Sequence, residues 1–236
     1  HGCIVSRFDA DGECLWQQVG LEFCTNGTYD QKRPDLYVSS LLNAYRLADP
    51  DKGLWQFQGH VGLSEQLGGR QSSGNVRFLE LGGERFFYTM TGTSVRIFRD
   101  RGGNLAAAVV LSMDGRRDWD EKVFGELTDA EKKAPFWFTW RDANADGAVQ
   151  DDEVVKVKPA PPFRMGAHSI DVDDSGNLLI PADEAAEVPL ERLDEHGLPV
   201  YDFAAARIVI PADTTFRGLR TMKVLRTPDG YYLLQM

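Results

Sequence analysis

Short apolar runs that meet at a glycine-containing turn recur along the whole chain. Each copy has a β-branched or aromatic run, a turn with an acidic residue and a glycine, and a second apolar run, as in residues 7–16 (RFDADGECLW). The turn glycines are spaced by 41 to 50 residues, at Gly12, Gly53, Gly103, Gly147 and Gly197. A supersecondary unit of that length is typical of a four-stranded β-propeller blade.

A second type of hairpin lies between these units. Its copies turn at Gly82–Gly83, at Asp174–Gly176 and at Pro228–Gly230. Glycine suits such turns because it adopts a positive φ, and an Asp carboxylate caps backbone N–H groups there. Residues 76–111 are therefore predicted to form one complete blade of four strands.

Taken together, the two hairpin types predict an all-β fold in one domain over residues 1–236. The expected architecture is a β-propeller of about five blade units, with a short helix and a loop inserted in one hairpin. The chain opens with one hairpin at 3–17 and closes with another at 222–235. In a closed ring these two would share a blade, which removes exposed sheet edges. Alternatively, the chain is an excised portion of a longer propeller protein, as its start at His1 without a leader also suggests.

Composition excludes several classes of partner. The chain has 26 basic and 36 acidic residues, a formal net charge of −10. Nucleic acid and anionic membrane surfaces are disfavoured because binding to both draws on clustered Lys and Arg. No apolar run approaches the length of a membrane span, so no membrane insertion is expected. Cys3, Cys14 and Cys24 leave two alternatives open, one bridge plus a thiol or three buried thiols.

The segment Asp142–Glu153 satisfies the calcium-loop pattern D-x-[DN]-x-[DN]-G-x5-E at every position. A hard cation such as Ca²⁺ takes six to eight oxygen ligands, and a seven-oxygen flexible cage suits it better than Mg²⁺. Gly147 permits the sharp bend, and Glu153 would close the shell with both carboxylate oxygens. The predicted ligands are the side chains of Asp142, Asn144, Asp146, Gln150 (through a water) and Glu153, with the carbonyl of Ala148.

The flanks of this loop are not those of a helix–loop–helix unit. Thr128–Glu131 has the pattern of a capping box opening a short helix, which Pro135 ends. The alternating aromatic segment Phe136–Arg141 and the run Val154–Val157 both favour strands. The loop is therefore predicted to join a β-hairpin. Without flanking helices to open, the ion is expected to stabilise structure rather than act as a sensor.

Three stretches, 138–153, 170–178 and 193–202, resemble secreted bacterial NHL-type β-propeller proteins that carry an EF-hand-like loop. The resemblance covers about residues 76–236 well and the first 75 poorly. It implies a propeller fold and a secreted or periplasmic location, in a family whose members mostly have no assigned activity. Only the calcium-loop positions carry over residue by residue, because fold alone does not imply function.

Two further groups of residues have features of binding sites. Asp171–Gly176 resembles the start of a second calcium loop, but its twelfth position is Ala182, so a plain β-turn is predicted. Four residues lie where the chain enters the inner strand of a predicted blade. They are expected to face the propeller channel, where they would bind an anionic sugar or a carboxylate. Structural salt bridges to the many acidic residues are the alternative. These candidate ligand-binding residues are Arg70, Arg164, His168 and Arg217.

No motif of nucleophilic catalysis or nucleotide binding stands out. The sequence thus predicts a non-catalytic, calcium-binding β-propeller module of a secreted protein, binding carbohydrate or another protein at the channel mouth. The alternative is a propeller enzyme acting on polysaccharide, a hydrolase or lyase with acids and Arg or His at that mouth. A purely structural spacer is the third hypothesis.

Overall fold

The computed structural model describes residues 4–19, 27–39, 42–60, 75–90, 94–112, 126–133, 136–157, 170–181, 184–211 and 223–235. These residues form an all-β structure of small antiparallel sheets. Strands β1 (Ile4–Phe8) and β2 (Cys14–Val19) pair as a hairpin, and the next four strands make a four-stranded meander. The strands of that meander are β3 (Gly27–Asp30), β4 (Arg33–Ser39), β5 (Asn43–Asp49) and β6 (Leu54–His60).

The second meander has six strands in chain order. Its members are β7 (Asn75–Leu81), β8 (Glu84–Met90), β9 (Ser94–Arg101), β10 (Asn104–Ser112), β11 (Phe138–Arg141) and β12 (Val154–Lys156). Helix α1 (Asp129–Lys133) lies between β10 and β11, and it begins with the predicted capping box. Thr128 N–H donates to Glu131 Oε2 at 2.8 Å, and Glu131 N–H donates to Thr128 Oγ1 at 3.2 Å.

The C-terminal part contains three smaller sheets. Its strands are β13 (Asp171–Val172), β14 (Leu178–Pro181), β15 (Ala185–Val188), β16 (Leu190–Leu193), β17 (Pro199–Tyr201), β18 (Arg207–Ile210), β19 (Lys223–Arg226) and β20 (Tyr232–Gln235). Strands β13, β14, β15 and β18 form a four-stranded sheet, while β16–β17 and β19–β20 are hairpins. No helix among the described residues is long and apolar enough to cross a membrane.

All eight predicted hairpins form, and the five predicted turn glycines have positive φ. The turn between β16 and β17 shows why. Asp194 Oδ1 accepts hydrogen bonds from the N–H groups of His196 (2.9 Å) and Leu198 (2.8 Å), and Gly197 N–H donates to the Asp194 carbonyl (2.9 Å). The same backbone bonds recur in the turns that start at Asp9, Asp173 and Thr227. A turn thus forms within the predicted segment Asp171–Gly176, and the absence of a second calcium ion there stays a prediction.

The second meander differs from the predicted four-stranded blade at residues 76–111. Strands β7 to β10 form as expected, but β11 pairs with the outer edge of β10 and β12 pairs with β11. This addition buries Phe138 and Trp140 against Val110. An apolar strand next to an open sheet edge gains both the ladder hydrogen bonds and this burial, so the sheet grows by one hairpin.

Most sheets pack against their neighbours in chain order, while the β16–β17 hairpin packs with the second meander. Alternation along β8 places Phe86 and Tyr88 on one face and Phe87 on the other. Phe87 packs with Val38 of the first meander, whereas Phe86 and Tyr88 pack with the sheet that contains β14. The outer hairpins follow the same order, with Trp16 against the first meander and Val224 against β14 and β15. In the described part of the chain the two terminal hairpins remain separate sheets, and no closed ring is formed.

A buried ionic cluster joins the two meanders. The Asp30 side chain is 0% exposed, and it accepts hydrogen bonds from Arg33 Nε at 2.6 Å and from the Arg85 guanidinium. Asp100, nearly buried, pairs with Arg33 and lies 3.6 Å from Arg85 Nε. Two carboxylates and two guanidinium groups therefore neutralise each other where the sheets meet, as burial of charge requires.

Candidate metal centre

The loop Asp142–Glu153 joins β11 to β12, as the sequence predicts. Phe138, Thr139 and Trp140 pair with Lys156, Val155 and Val154. At the start of the loop, Asp142 N–H donates to the carbonyl of Ala108 on β10 at 2.9 Å. Val149, the apolar loop position, packs against the cluster formed by Val110, Phe138 and Trp140. Backbone hydrogen bonds with the sheet thus fix both ends of the loop, and the apolar packing of Val149 fixes its middle.

Side-chain oxygens of the first half of the loop turn inward onto backbone N–H groups. Asp146 N–H donates to Asp142 Oδ1 (3.1 Å) and to Asn144 Oδ1 (2.9 Å). Gly147 N–H donates to Asp142 Oδ2 (3.0 Å), and Ala148 N–H donates to Asp146 Oδ1 (2.7 Å). Because each carboxylate or amide oxygen has a second lone pair, these bonds orient the oxygens without using up their capacity to accept.

The last two predicted ligands sit at the other side of the loop. Gln150 Nε2 donates to Asp146 Oδ2 at 2.8 Å, while Gln150 Oε1 is buried with no hydrogen-bond partner among the described residues. Glu153 Oε1 accepts from Ala143 N–H (2.9 Å), and Glu153 Oε2 accepts from Trp140 Nε1 (2.9 Å). The Glu153 carboxylate therefore connects the end of the loop to its start and to the buried indole of Trp140.

The acidic ligand candidates of this loop form no ion pair within the described part of the chain. Asp142 is 6% exposed, and no Lys or Arg of the described segments forms an ion pair with Asp142, Asp146 or Glu153. The hydrogen bond from Ala148 N–H, followed by those from Gln150 and Asn144, lowers the pKa of Asp146. The Asp146 carboxylate is thus held in the charged form that a divalent cation requires.

Within the described residues, no three His, Cys, Asp or Glu side chains are gathered around a point ready to hold a metal ion. The donor set of the loop includes an amide at Asn144 and a carbonyl at Ala148, and Glu153 is directed to Trp140 and Ala143. The oxygen-only chemistry and the orphaned Gln150 Oε1 fit a hard cation. A cation here would draw the Glu153 carboxylate toward the other oxygens.

Two residues of the loop have a positive φ, and the sequence predicts only one of them. Gly147 has φ +73°, as its place in the motif predicts, but Ala145 also has a positive φ of +61°. A residue with a Cβ is strained in that region by roughly 1–2 kcal/mol. Nothing in the sequence around Ala145 signals this strain, because alanine has no side-chain group that favours the left-handed conformation.

We expect Gly147→Ala to lower the free energy of unfolding by about 1–2 kcal/mol, measured by urea denaturation in excess EGTA. A Cβ at Gly147 would meet no atom within 4 Å, so the loss would report backbone strain alone. The matched control is Ala145→Gly. This change removes backbone strain from the folded state, but it also raises the conformational entropy of the unfolded chain. Since the two effects oppose each other, the variant should be neutral or stabilised. Equal losses in both variants would contradict this description of the loop.

An open cleft of about 400 Å³ lies beside the loop. Asn144, Gln150 and Glu153 line one side, and the β16–β17 turn with His196 lines the other. Arg141, the residue before the loop, reaches across to Asp194 of that turn at 3.3 Å. The cleft gives ions and water a route to the loop oxygens.

Other predicted residues fall outside the described part of the chain. Arg70, Arg164, His168 and Arg217 are among them, so the proposed channel-mouth site stays a prediction. Cys3 and Cys24 also lie outside, whereas Cys14 is exposed and has no disulfide partner among the described residues.

Comparison with known proteins gives no family assignment. No protein-family model matches the chain, and no curated protein matches it either. The interpretation of this molecule therefore depends on the chemistry and geometry of its own residues.

Proposed function

We propose that this chain is a calcium-stabilised, non-catalytic β-propeller module of a secreted or periplasmic protein, and that it binds a carbohydrate or another protein. The observation that carries the calcium assignment is the set of inward-facing oxygens of Asp142, Asn144 and Asp146 beside Gln150 Oε1, a buried acceptor that no described donor reaches. An acceptor of this kind, among unpaired carboxylates, is satisfied by a cation.

Calcium suits the loop better than other ions. All candidate ligands are oxygens, which disfavours zinc and copper, and the loop offers enough of them for a shell of six to eight. Magnesium requires a near-ideal octahedron at short distances. Backbone N–H groups at 146–148 orient the carboxylates before binding, which lowers the entropic cost of closing the shell.

The role proposed for the ion is structural. Helix α1 has five residues and is separated from the loop by β11, so no helix pair flanks the ion site. A cation bound by both Asp142 and Glu153 would link the first residue of the loop to its last. This clamps β12, a three-residue edge strand that has little pairing of its own.

Propeller architecture is supported by the packing order of the sheets. Apart from the β16–β17 hairpin, each sheet contacts the sheets beside it in chain order, as blades in a ring do. The turn glycines recur with the length of a blade. The six-stranded second meander would then be one blade that carries the calcium hairpin as an extension at its outer edge. The alternative of a polysaccharide-cleaving enzyme draws no support from a specific arrangement of the described side chains.

Direct calcium titration by calorimetry tests the calcium assignment. The wild-type protein, freed of metal, is expected to bind one Ca²⁺ with micromolar to millimolar affinity. Asp146→Asn should weaken binding at least about tenfold because it removes a charged ligand. The matched control is Asp151→Asn, the same change at an exposed loop carboxylate outside the ligand set.

Trp140 provides a second readout, since its indole N–H donates to Glu153. Binding that recruits Glu153 should change the fluorescence of the wild-type protein in step with the calorimetric titration. A protein that shows neither signal at millimolar calcium, or one in which Asp151→Asn is as damaging as Asp146→Asn, would refute the assignment.

A further inference from the structure

An aromatic cleft opens between the N-terminal hairpin β1–β2 and the first meander. Its volume is about 570 Å³, larger than the cleft beside the calcium loop. Phe8, Trp16, Tyr29 and Trp55 line it together with Leu47 and Pro34. The volume is in the range of small-molecule sites, which are lined by apolar and aromatic side chains with a few polar groups.

Two of the four rings in this cleft are exposed, and three are held in place by contacts. Phe8 is 58% and Tyr29 42% exposed. Tyr29 packs against Tyr37 and Trp55, with ring centroids 5.2 and 5.8 Å apart. Trp16 is fixed by its indole N–H, which donates to the Pro50 carbonyl at 2.8 Å, and its ring covers Gly53 so closely that a Cβ there would lie 2.4 Å from it. Tyr29 and Trp16 therefore present flat apolar faces that need little ordering on binding.

One polar atom in the wall of the cleft lacks a partner. Trp55 is 9% exposed, and its Nε1 is buried without a hydrogen-bond acceptor among the described residues. A buried donor left unpaired is costly, so such groups in folded proteins call for an explanation. Since this N–H is buried, a ligand in the cleft as it stands would be bound by the other polar groups that line it.

The rim of the cleft offers hydrogen-bonding groups of both kinds. Gln31 is exposed and carries an amide, and Asp35 carries a carboxylate that lies 3.3 Å from Arg46 Nε. Arg7 donates to the Pro50 carbonyl and keeps further N–H groups. Flat apolar rings below and amide, carboxylate and guanidinium groups at the rim match a ligand with an apolar C–H face and a periphery of hydroxyl groups.

We propose that this cleft binds a neutral saccharide, with a pyranose ring stacked on Phe8 and Tyr29 and its hydroxyl groups hydrogen-bonded to Gln31 and Asp35. An anionic sugar is disfavoured by Asp35 and by the net charge of −10. This inference rests on the proposed carbohydrate-binding role, but it does not depend on the calcium loop.

The competing occupant of an aromatic groove is a proline-rich peptide. Such peptides present a row of carbonyls, which indole and phenol groups along the groove must meet. In this cleft the Trp16 donor is already engaged by Pro50. The remaining indole donor, at Trp55, is buried rather than displayed. The arrangement favours stacking of a sugar over recognition of a row of carbonyls.

The test is calorimetric titration of the whole chain with cellohexaose, xylohexaose and mannohexaose, and with a decaproline peptide as the competing ligand. Each titration is run in millimolar calcium and again in excess EGTA, below the unfolding temperature. At least one hexasaccharide should saturate the protein. Phe8→Ala and Tyr29→Ala should each weaken that binding by roughly tenfold, as loss of an aromatic anchor does.

The chain supplies matched controls for both substitutions. Phe57 is 51% and Tyr231 68% exposed, and neither lines the cleft. Phe57→Ala and Tyr231→Ala should leave the affinity within about twofold of wild type. Absence of saturation by any hexasaccharide, preference for decaproline, or equal losses in cleft and control variants would overturn the proposal. Saccharide binding that persists in EGTA while calcium titration fails would refute the calcium assignment alone.

Discussion

Asp30→Asn is expected to destabilise the protein by about 3 kcal/mol, the largest effect we anticipate from a single isosteric change. The substitution leaves Arg33 and Arg85 with one carboxylate between them, at a site where Asp30 is completely buried. Removing one partner of a buried ion pair costs about 3–5 kcal/mol because the other charge stays desolvated. The lower value applies here because Asp100 still faces both guanidinium groups.

Urea denaturation at fixed calcium concentration measures this loss. The matched control is Asp35→Asn in the neighbouring strand, where the pair with Arg46 is half exposed. Exposed pairs contribute about 0–1 kcal/mol, so the control should remain close to wild type. Similar losses in the two variants would show that burial of the Asp30 cluster does not contribute to the junction between the meanders.

Removal of calcium is expected to lower the unfolding temperature by about 5–10 °C. At a free concentration a hundred times the dissociation constant, a ligand that binds only the folded state stabilises it by about 2.7 kcal/mol. For a chain of 236 residues, each kcal/mol corresponds to roughly 2–4 °C. Thermal scans in excess EGTA, and in free calcium at a hundred times the dissociation constant found by calorimetry, provide the comparison.

The informative variant combines Asp142→Ala with Glu153→Ala, which removes the two ends of the proposed ligand set. Its unfolding temperature in EGTA should fall, because Asp142 also caps the N–H groups of Asp146 and Gly147. The readout is therefore the difference between calcium and EGTA, which should vanish in this variant and persist in Asp151→Asn. A difference that survives the double substitution would place the ion elsewhere.

Local chemistry made the hairpins predictable. A turn such as Asp194–Leu198 depends on a carboxylate that caps two N–H groups and a glycine with positive φ, and both requirements are met within five residues. The capping box of Thr128 and Glu131 is equally local. The position of the loop Asp142–Glu153 between two strands was predictable for the same reason, because motif spacing and alternation are properties of a short segment.

Two features of the candidate site were not predicted from the sequence. The hydrogen bond from Trp140 to Glu153 depends on the pairing of β11 with β12, and the left-handed conformation of Ala145 carries no signal in its residue type. The sequence did carry a signal for the hydrogen bond from Trp140 to Glu153. Trp140 lies two residues before Asp142 in an alternating strand, so its side chain shares a face with Phe138 at the base of the loop.

The sequence by itself determined that this chain is built of antiparallel hairpins and that one of them carries an oxygen-rich loop. Only the tertiary structure decided that the second meander extends to six strands, that Asp30 is buried between two arginines, and that four aromatic rings from separate strands line one cleft. The physical reason is the range of the interactions. Turn and capping energies arise among neighbours in sequence, whereas edge pairing, charge burial and ring clustering depend on which distant surfaces pack together.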